Sequence, residues 1–125
     1  MISPSPILYM FVYLNDDGDP DYREAVIFSN GQQALDFSAN ERGILKRWCA
    51  YILRVNDPDV LRKIECKGLK EHSPLYGDFW SANYVAPNWD GEPDELFISI
   101  DIDDALSGLY RFQFKAEIID MMGTF

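Results

Sequence analysis

The groups in this chain best able to act on another molecule are its carboxylates, and they are unevenly placed. Asp78, Asp90, Glu92, Asp94, Glu95, Asp101, Asp103 and Asp104 all fall within residues 73–108, a span with no lysine or arginine. Residues 40–72 reverse the balance, holding eight of the eleven basic residues against five acids. Crowded like charges repel one another in the free protein, and are easier to understand if something basic meets them. Against such a partner they would steer encounter and discriminate among surfaces. Asp101 and Asp103 allow a second chemistry. Two residues apart on a strand, they share a face at roughly 7 Å, a spacing that suits a pair of carboxylates doing acid–base work. Few substrates would be held there without a neighbouring cation. The single histidine, His72, stands apart between Glu71 and Ser73, and adjacency in sequence does not make a nucleophile and its base.

Metal chemistry has little to build on. One histidine and two scattered cysteines, Cys49 and Cys66, do not make a zinc set. Asn15-Asp-Asp-Gly-Asp-Pro-Asp21 is rich in oxygen ligands, but its glycine comes too early for a helix–loop–helix calcium site and no bidentate glutamate follows. A hairpin turn is the better reading, since Asp and Asn bond their own backbone in turns. There is no glycine-rich phosphate loop, HExxH or CxxC motif. The expectation is a non-enzyme with no cofactor and no metal.

The aromatics offer anchors. Tyr76, Phe79, Trp80, Tyr84 and Trp89 are interleaved with the acids of 73–108, and Trp and Tyr are enriched where interfaces are tightest. Trp80 and Tyr84 fit a core strand. Trp89 lies in Pro87-Asn-Trp-Asp-Gly-Glu-Pro-Asp94, where no regular element obliges it to be buried. The candidate binding residues are therefore Trp89, Asp90, Glu92, Asp94, Glu95, Asp101, Asp103 and Asp104, with Trp89 as anchor.

These residues need a frame. From Glu95 to Ile119 apolar residues alternate strictly: Leu96, Ile98, Ile100 and Ile102, then Tyr110, Phe112, Phe114, Ala116 and Ile118. Period two with β-branched and aromatic residues reads as half-buried strand. Asp104-Ala-Leu-Ser-Gly108 reads as the hairpin loop between two strands. Pairing even with even residues puts one apolar face together and sets Asp101 or Asp103 near Arg111. Ile7–Leu14 is apolar throughout and predicts a strand covered on both faces. Tyr22–Ser29 predicts a second strand, Asn30-Gly31 a type I′ turn, and Gln32–Phe37 a third strand. Ile44, Leu45, Trp48, Tyr51, Ile52 and Val55 recur at helical spacing, which predicts an amphipathic helix over about 40–55. Asp57-Pro58 opens a short second helix to Ile64, with a short strand around 64–67 after it. Asp78–Ala86 predicts another strand.

At 125 residues, 47% apolar and 26% charged, the chain is long enough for one domain with a sizeable core. The expected fold is α+β over residues 1–125: an antiparallel sheet of about five or six strands, with the two helices packed on one face. A net charge of −10 and a pI near 4.3 argue against nucleic acid or an anionic membrane as direct partner. Met1–Pro6 has no basic start, and no apolar run is long enough to span a membrane. A cytoplasmic protein with free, buried thiols is expected, as monomer or homodimer. In composition such a chain is similar to toxin-immunity proteins and phage-encoded anti-defence inhibitors, which are short, acidic, aromatic and lack catalytic residues. That likeness implies a protein that blocks a basic surface of a nuclease or nucleic-acid-binding protein, its carboxylates mimicking phosphates. The alternatives are a small-ligand binder or enzyme with an aromatic pocket and paired carboxylates, or a structural assembly subunit.

Overall fold

The computed structural model describes residues 7–41, 47–87 and 94–124. Seven strands and two helices occur in the order β1 (Ile7–Leu14), β2 (Pro20–Phe28), α1 (Gly31–Glu41), β3 (Arg47–Arg54), α2 (Pro58–Lys67), β4 (Glu71–Ser73), β5 (Gly77–Pro87), β6 (Glu95–Asp104) and β7 (Gly108–Thr124). Six of the strands are bonded in the order β2-β1-β3-β7-β6-β5, and β5 pairs back onto β2. The sheet is thus a closed, antiparallel six-stranded barrel, and the fold is α+β as expected. The three-residue β4 adds to β5 outside the ring.

The β6–β7 hairpin is the longest ladder in the barrel. Its register is even with even: Ile98 faces Phe114, Ile100 faces Phe112, and Asp101 faces Arg111. The second half of β7 turns to β3, where residues 117–124 pair with 49–54. The register slips twice there, so β7 spends two extra residues along this stretch. Such bulges bend and twist a strand, which a ring must do to close.

Alternation along the strands builds two apolar clusters. Leu8, Met10, Val12, Leu53, Ile98, Ile100, Ile102 and Trp80 belong to the inner one. The opposite faces of the same strands put Phe11, Phe28, Trp48 and Ala50 outside, where Ala34 and Phe37 of α1 cover them. β1 is therefore apolar throughout because it is buried on both faces. α2 belongs to the inner cluster through Leu61 and Ile64. Asp57 caps it by accepting from the Asp59 N–H, with Pro58 at its first position. At its end Gly68 touches Trp80: a Cβ there would lie 2.6 Å from Trp80 Nε1 and closer still to the Ile64 carbonyl oxygen.

Five expectations fail. The segment expected as a helix over about 40–55 is strand β3 across 47–54. Trp48-Cys-Ala-Tyr-Ile-Leu53 is apolar at every position because one face lines the barrel and the other lies under α1. A continuous apolar run contains helical spacing by default. The main helix instead occupies 31–41, where a turn and third strand were expected. Neither Asn30 nor Gly31 adopts the positive φ a type I′ turn needs. Asn30 is the helix cap, its Oδ1 accepting from Gln32 N–H at 2.8 Å and Gln33 N–H at 3.2 Å. The strand expected around 64–67 is the last turn of α2, and the two helices lie on opposite faces of the sheet.

Candidate functional site

The turn between β6 and β7 is built from local bonds. Asp104 Oδ1 accepts from Leu106 N–H at 3.0 Å, and Gly108 takes φ 77°, a conformation in which a side chain is strained. Asp104 Oδ2 accepts from Lys67 Nζ of α2 at 3.0 Å. The Leu106 N–H first, and then the Lys67 ammonium, hold the Asp104 carboxyl below the usual carboxylate range. The same contact raises the Lys67 ammonium above its ordinary value. The braced turn pushes two apolar side chains outward: Leu106 is 98% exposed and Leu109 66%. Asp103 is exposed beside them. The result is an apolar knob with a carboxylate at its base.

Among the described residues, the sequence-predicted carboxylates run from just before β6 to its far end. Trp89, Asp90 and Glu92 lie outside the described residues. Asp94 is exposed just before β6, and Glu95 at its start faces Lys115 Nζ at 3.6 Å. Asp101 accepts from Asn83 Nδ2 at 2.7 Å and lies opposite Arg111 on β7. Asp103 and Asp104 are at the far end. Nine residue steps separate Glu95 from Asp104, roughly 30 Å of strand. One small contact cannot include both groups. An interface using all of them has to run the length of β6. Glu95, Asp101 and Asp104 already have partners, which leaves Asp94 and Asp103 as the more open carboxylates. The sequence does not single out Leu106, because an aromatic is the usual mark of an anchor, whereas exposure at a turn depends on the hairpin's geometry.

A cleft of about 480 Å³ opens on the outer wall of the barrel. Phe37, Trp48, Tyr76 and Phe79 form its apolar side. Their rings belong to the outer cluster, with Phe37 and Tyr76 centroids 5.1 Å apart. The polar side carries Arg23, Glu24, Glu71, Ser81, Asn83 and Arg111. Glu71 accepts from Ser81 Oγ at 2.7 Å. Arg23 pairs loosely with Asp21 of its own strand at 3.6 Å, its side chain 81% exposed. Arg111 makes no hydrogen bond or ion pair among the described residues. Asn83 sits at a register slip of β5 between Ala82 and Tyr84. A slip re-aims a side chain, and the bond to Asp101 fixes this one.

The other chemistry-bearing residues are engaged in structural roles. His72 Nδ1 lies 2.8 Å from Asp78 Oδ1 in an exposed pair across β4–β5. The acidic Asn15–Asp21 loop is the β1–β2 turn, with Asn15 Oδ1 accepting from the N–H groups of Asp17 and Asp19. No group of three or more His, Cys, Asp and Glu among the described residues is placed to hold a metal ion. Both thiols are free, but only Cys49 is buried as expected; Cys66, on α2, is exposed. Burial, and next the Cys49 side chain, push the Tyr51 hydroxyl well above its ordinary pKa. No described helix is long and apolar enough to cross a membrane. Comparison with protein-family models, with curated proteins and with solved structures finds no match.

Proposed function

We propose that this chain is a small acidic protein-binding module that blocks a basic surface, of the kind presented by a nuclease or another nucleic-acid-binding protein. The β6–β7 turn makes the first contact. The observation that carries this reading is the fully exposed Leu106 on a braced, acid-flanked turn. A leucine at 98% exposure contributes nothing to the chain's own core, and two partners hold Asp104 so that the turn keeps its shape. An apolar knob entering a pocket with basic residues at its rim would combine desolvated contact at the centre with charge steering at the edge. The span 73–108, with its eight acids, supplies the steering field. On this reading the chain does no bond chemistry. Its carboxylates occupy a site that otherwise takes phosphates.

The test is affinity capture from cells in low salt with wild-type chain and two variants. Leu106→Ser with Asp103→Lys alters the turn, and Asp90→Lys with Glu92→Lys and Asp94→Lys alters the acidic segment that precedes β6 in sequence. The expected result is a basic protein captured by wild type, competed by duplex DNA, and lost with the first variant. Capture that is equal for all three chains, or unaffected by raised salt, overturns the reading.

A further inference from the structure

We propose that the outer-wall cleft is a binding site for a small organic anion with a flat ring, an aromatic carboxylate or an aryl phosphate. Three independent features converge on it. The first is charge. Only three of the eleven basic residues lie outside 40–72, and two of them, Arg23 and Arg111, reach this one cleft. They come from β2 and β7, 88 positions apart in sequence. In a chain of net charge −10, Asp101 lies directly opposite Arg111, yet its carboxylate is bonded to Asn83 instead. The Arg111 guanidinium is left with its planar set of donors uncommitted, the geometry that suits a carboxylate or phosphate.

The second feature is the backbone. The slip in β5 falls at Asn83, on the cleft wall, and irregularities of this kind concentrate beside binding sites. Asn83 and Ser81 add polar atoms next to the arginines, each already oriented by a carboxylate: Asp101 for the amide, Glu71 for the hydroxyl. The third is the apolar side. Phe79 and Tyr76 lie on the edge of the outer aromatic cluster, and both are only partly buried. Open ring surface beside fixed cations suits a flat apolar body carrying one anionic group. The volume lies within the range of small-molecule sites. Glu24 and Glu71 in the same lining offset the arginines, which selects for a single anionic group over a polyanion.

The experiment is calorimetric and NMR titration of the full chain with four probes: benzoate, phenyl phosphate, inorganic phosphate and benzyl alcohol. At least one charged aromatic should saturate at millimolar concentration, and the tighter of benzoate and phenyl phosphate identifies the anion. The neutral alcohol and the ring-free phosphate should each bind at least tenfold more weakly. Arg111→Gln should lower the affinity of the charged aromatic at least tenfold without moving the melting temperature, because that side chain has no partner to lose. Arg23→Gln provides a second variant with the same expected direction. The inference is overturned if neither charged aromatic saturates, if the alcohol or inorganic phosphate binds as tightly, or if Arg111→Gln binds like wild type. Leu106→Ser should leave probe binding unchanged, so failure at the cleft and failure at the turn are separately visible.

Discussion

Phe37 and Leu35 decide between the helix that occupies 31–41 and the strand its sequence suggests. Two residues apart, they would share a face on a strand but lie about 200° apart on a helix. In the structure Phe37 is 2% exposed and Leu35 55%. The Phe37 ring lies 4.6 Å from Phe11, 5.3 Å from Phe28, 5.3 Å from Trp48 and 5.1 Å from Tyr76, measured between centroids. Removing it leaves four rings around a void that cannot close without moving strands β1, β2 and β3. Phe→Ala in such a site costs about 3–5 kcal/mol. For 125 residues the unfolding entropy near the midpoint is about 0.26 kcal/mol/K, so ~4 kcal/mol lowers the melting temperature by about 15 °C. Leu35→Ala removes an exposed side chain from a helix and should stay within about 0.5 kcal/mol. Urea unfolding of both variants by circular dichroism, read at constant m-value, measures the two costs. Equal losses, or a loss below ~1 kcal/mol for Phe37→Ala, would refute the packing of α1 on the outer wall.

Two further substitutions test the frame of the turn. Gly68→Ala places a Cβ 2.6 Å from Trp80 Nε1 at the end of α2, and should cost about 2 kcal/mol or more in denaturant unfolding; a loss under ~0.5 kcal/mol would mean that α2 does not abut Trp80. Asp104 has a depressed pKa in the fold, so as pH falls the unfolded chain takes up the proton first, and its contribution is full above the ordinary Asp range and lost as acid protonates the folded group. The melting-temperature gap between wild type and Asp104→Asn should therefore shrink as pH drops through and below about 4, and a gap constant with pH would remove the bonds that Leu106 N–H and Lys67 make to Asp104.

The parts of this fold legible in the sequence were those where one face meets the core and the other meets water. Strict alternation from Leu96 to Ile118 identified β6, β7 and their register, because a one-residue slip would have turned every isoleucine outward. Asp57-Pro58 announced α2, because a cap and a fixed φ are local chemistry. Legibility failed where burial was two-sided. Trp48 to Leu53 shows no polar face, and the side chains an amphipathic helix would turn to water, Cys49, Ala50 and Leu53, are apolar and buried. α1 failed for the opposite reason: among its described side chains only Ala34, Phe37 and Ser38 are buried, too few to outweigh an Asn-Gly pair that serves as readily for a cap as for a turn. The carboxylates were visible as a count, but which were already bonded was not. The cleft was not legible at all, since Arg23 and Arg111 line one cleft only because the ring closes.

Closure also limits how this chain can hold another. A strand at a sheet edge offers unpaired N–H and C=O groups, and partners commonly add a strand there. Here β5 returns to β2, so each of the six ring strands has a bonded neighbour on both sides. Among the described residues the short β4 is the one strand with a single neighbour, and three residues support little augmentation. Side chains on its outer wall and at its ends are the other surface open to a partner. Both candidate features are of that kind, and one strand links them. Arg111 stands three residues beyond Gly108 on β7, about 10 Å from the turn that displays Leu106. A rigid ladder connects them, the β6–β7 register being unbroken from Asp104–Gly108 to Asp101–Arg111. An anion seated on Arg111 would neutralise the cation nearest the acidic turn on that strand and deepen the field the turn presents. A partner held through the turn should therefore bind more tightly when the cleft is filled. In Arg111→Gln, where that charge is already gone, filling the cleft should change partner affinity less.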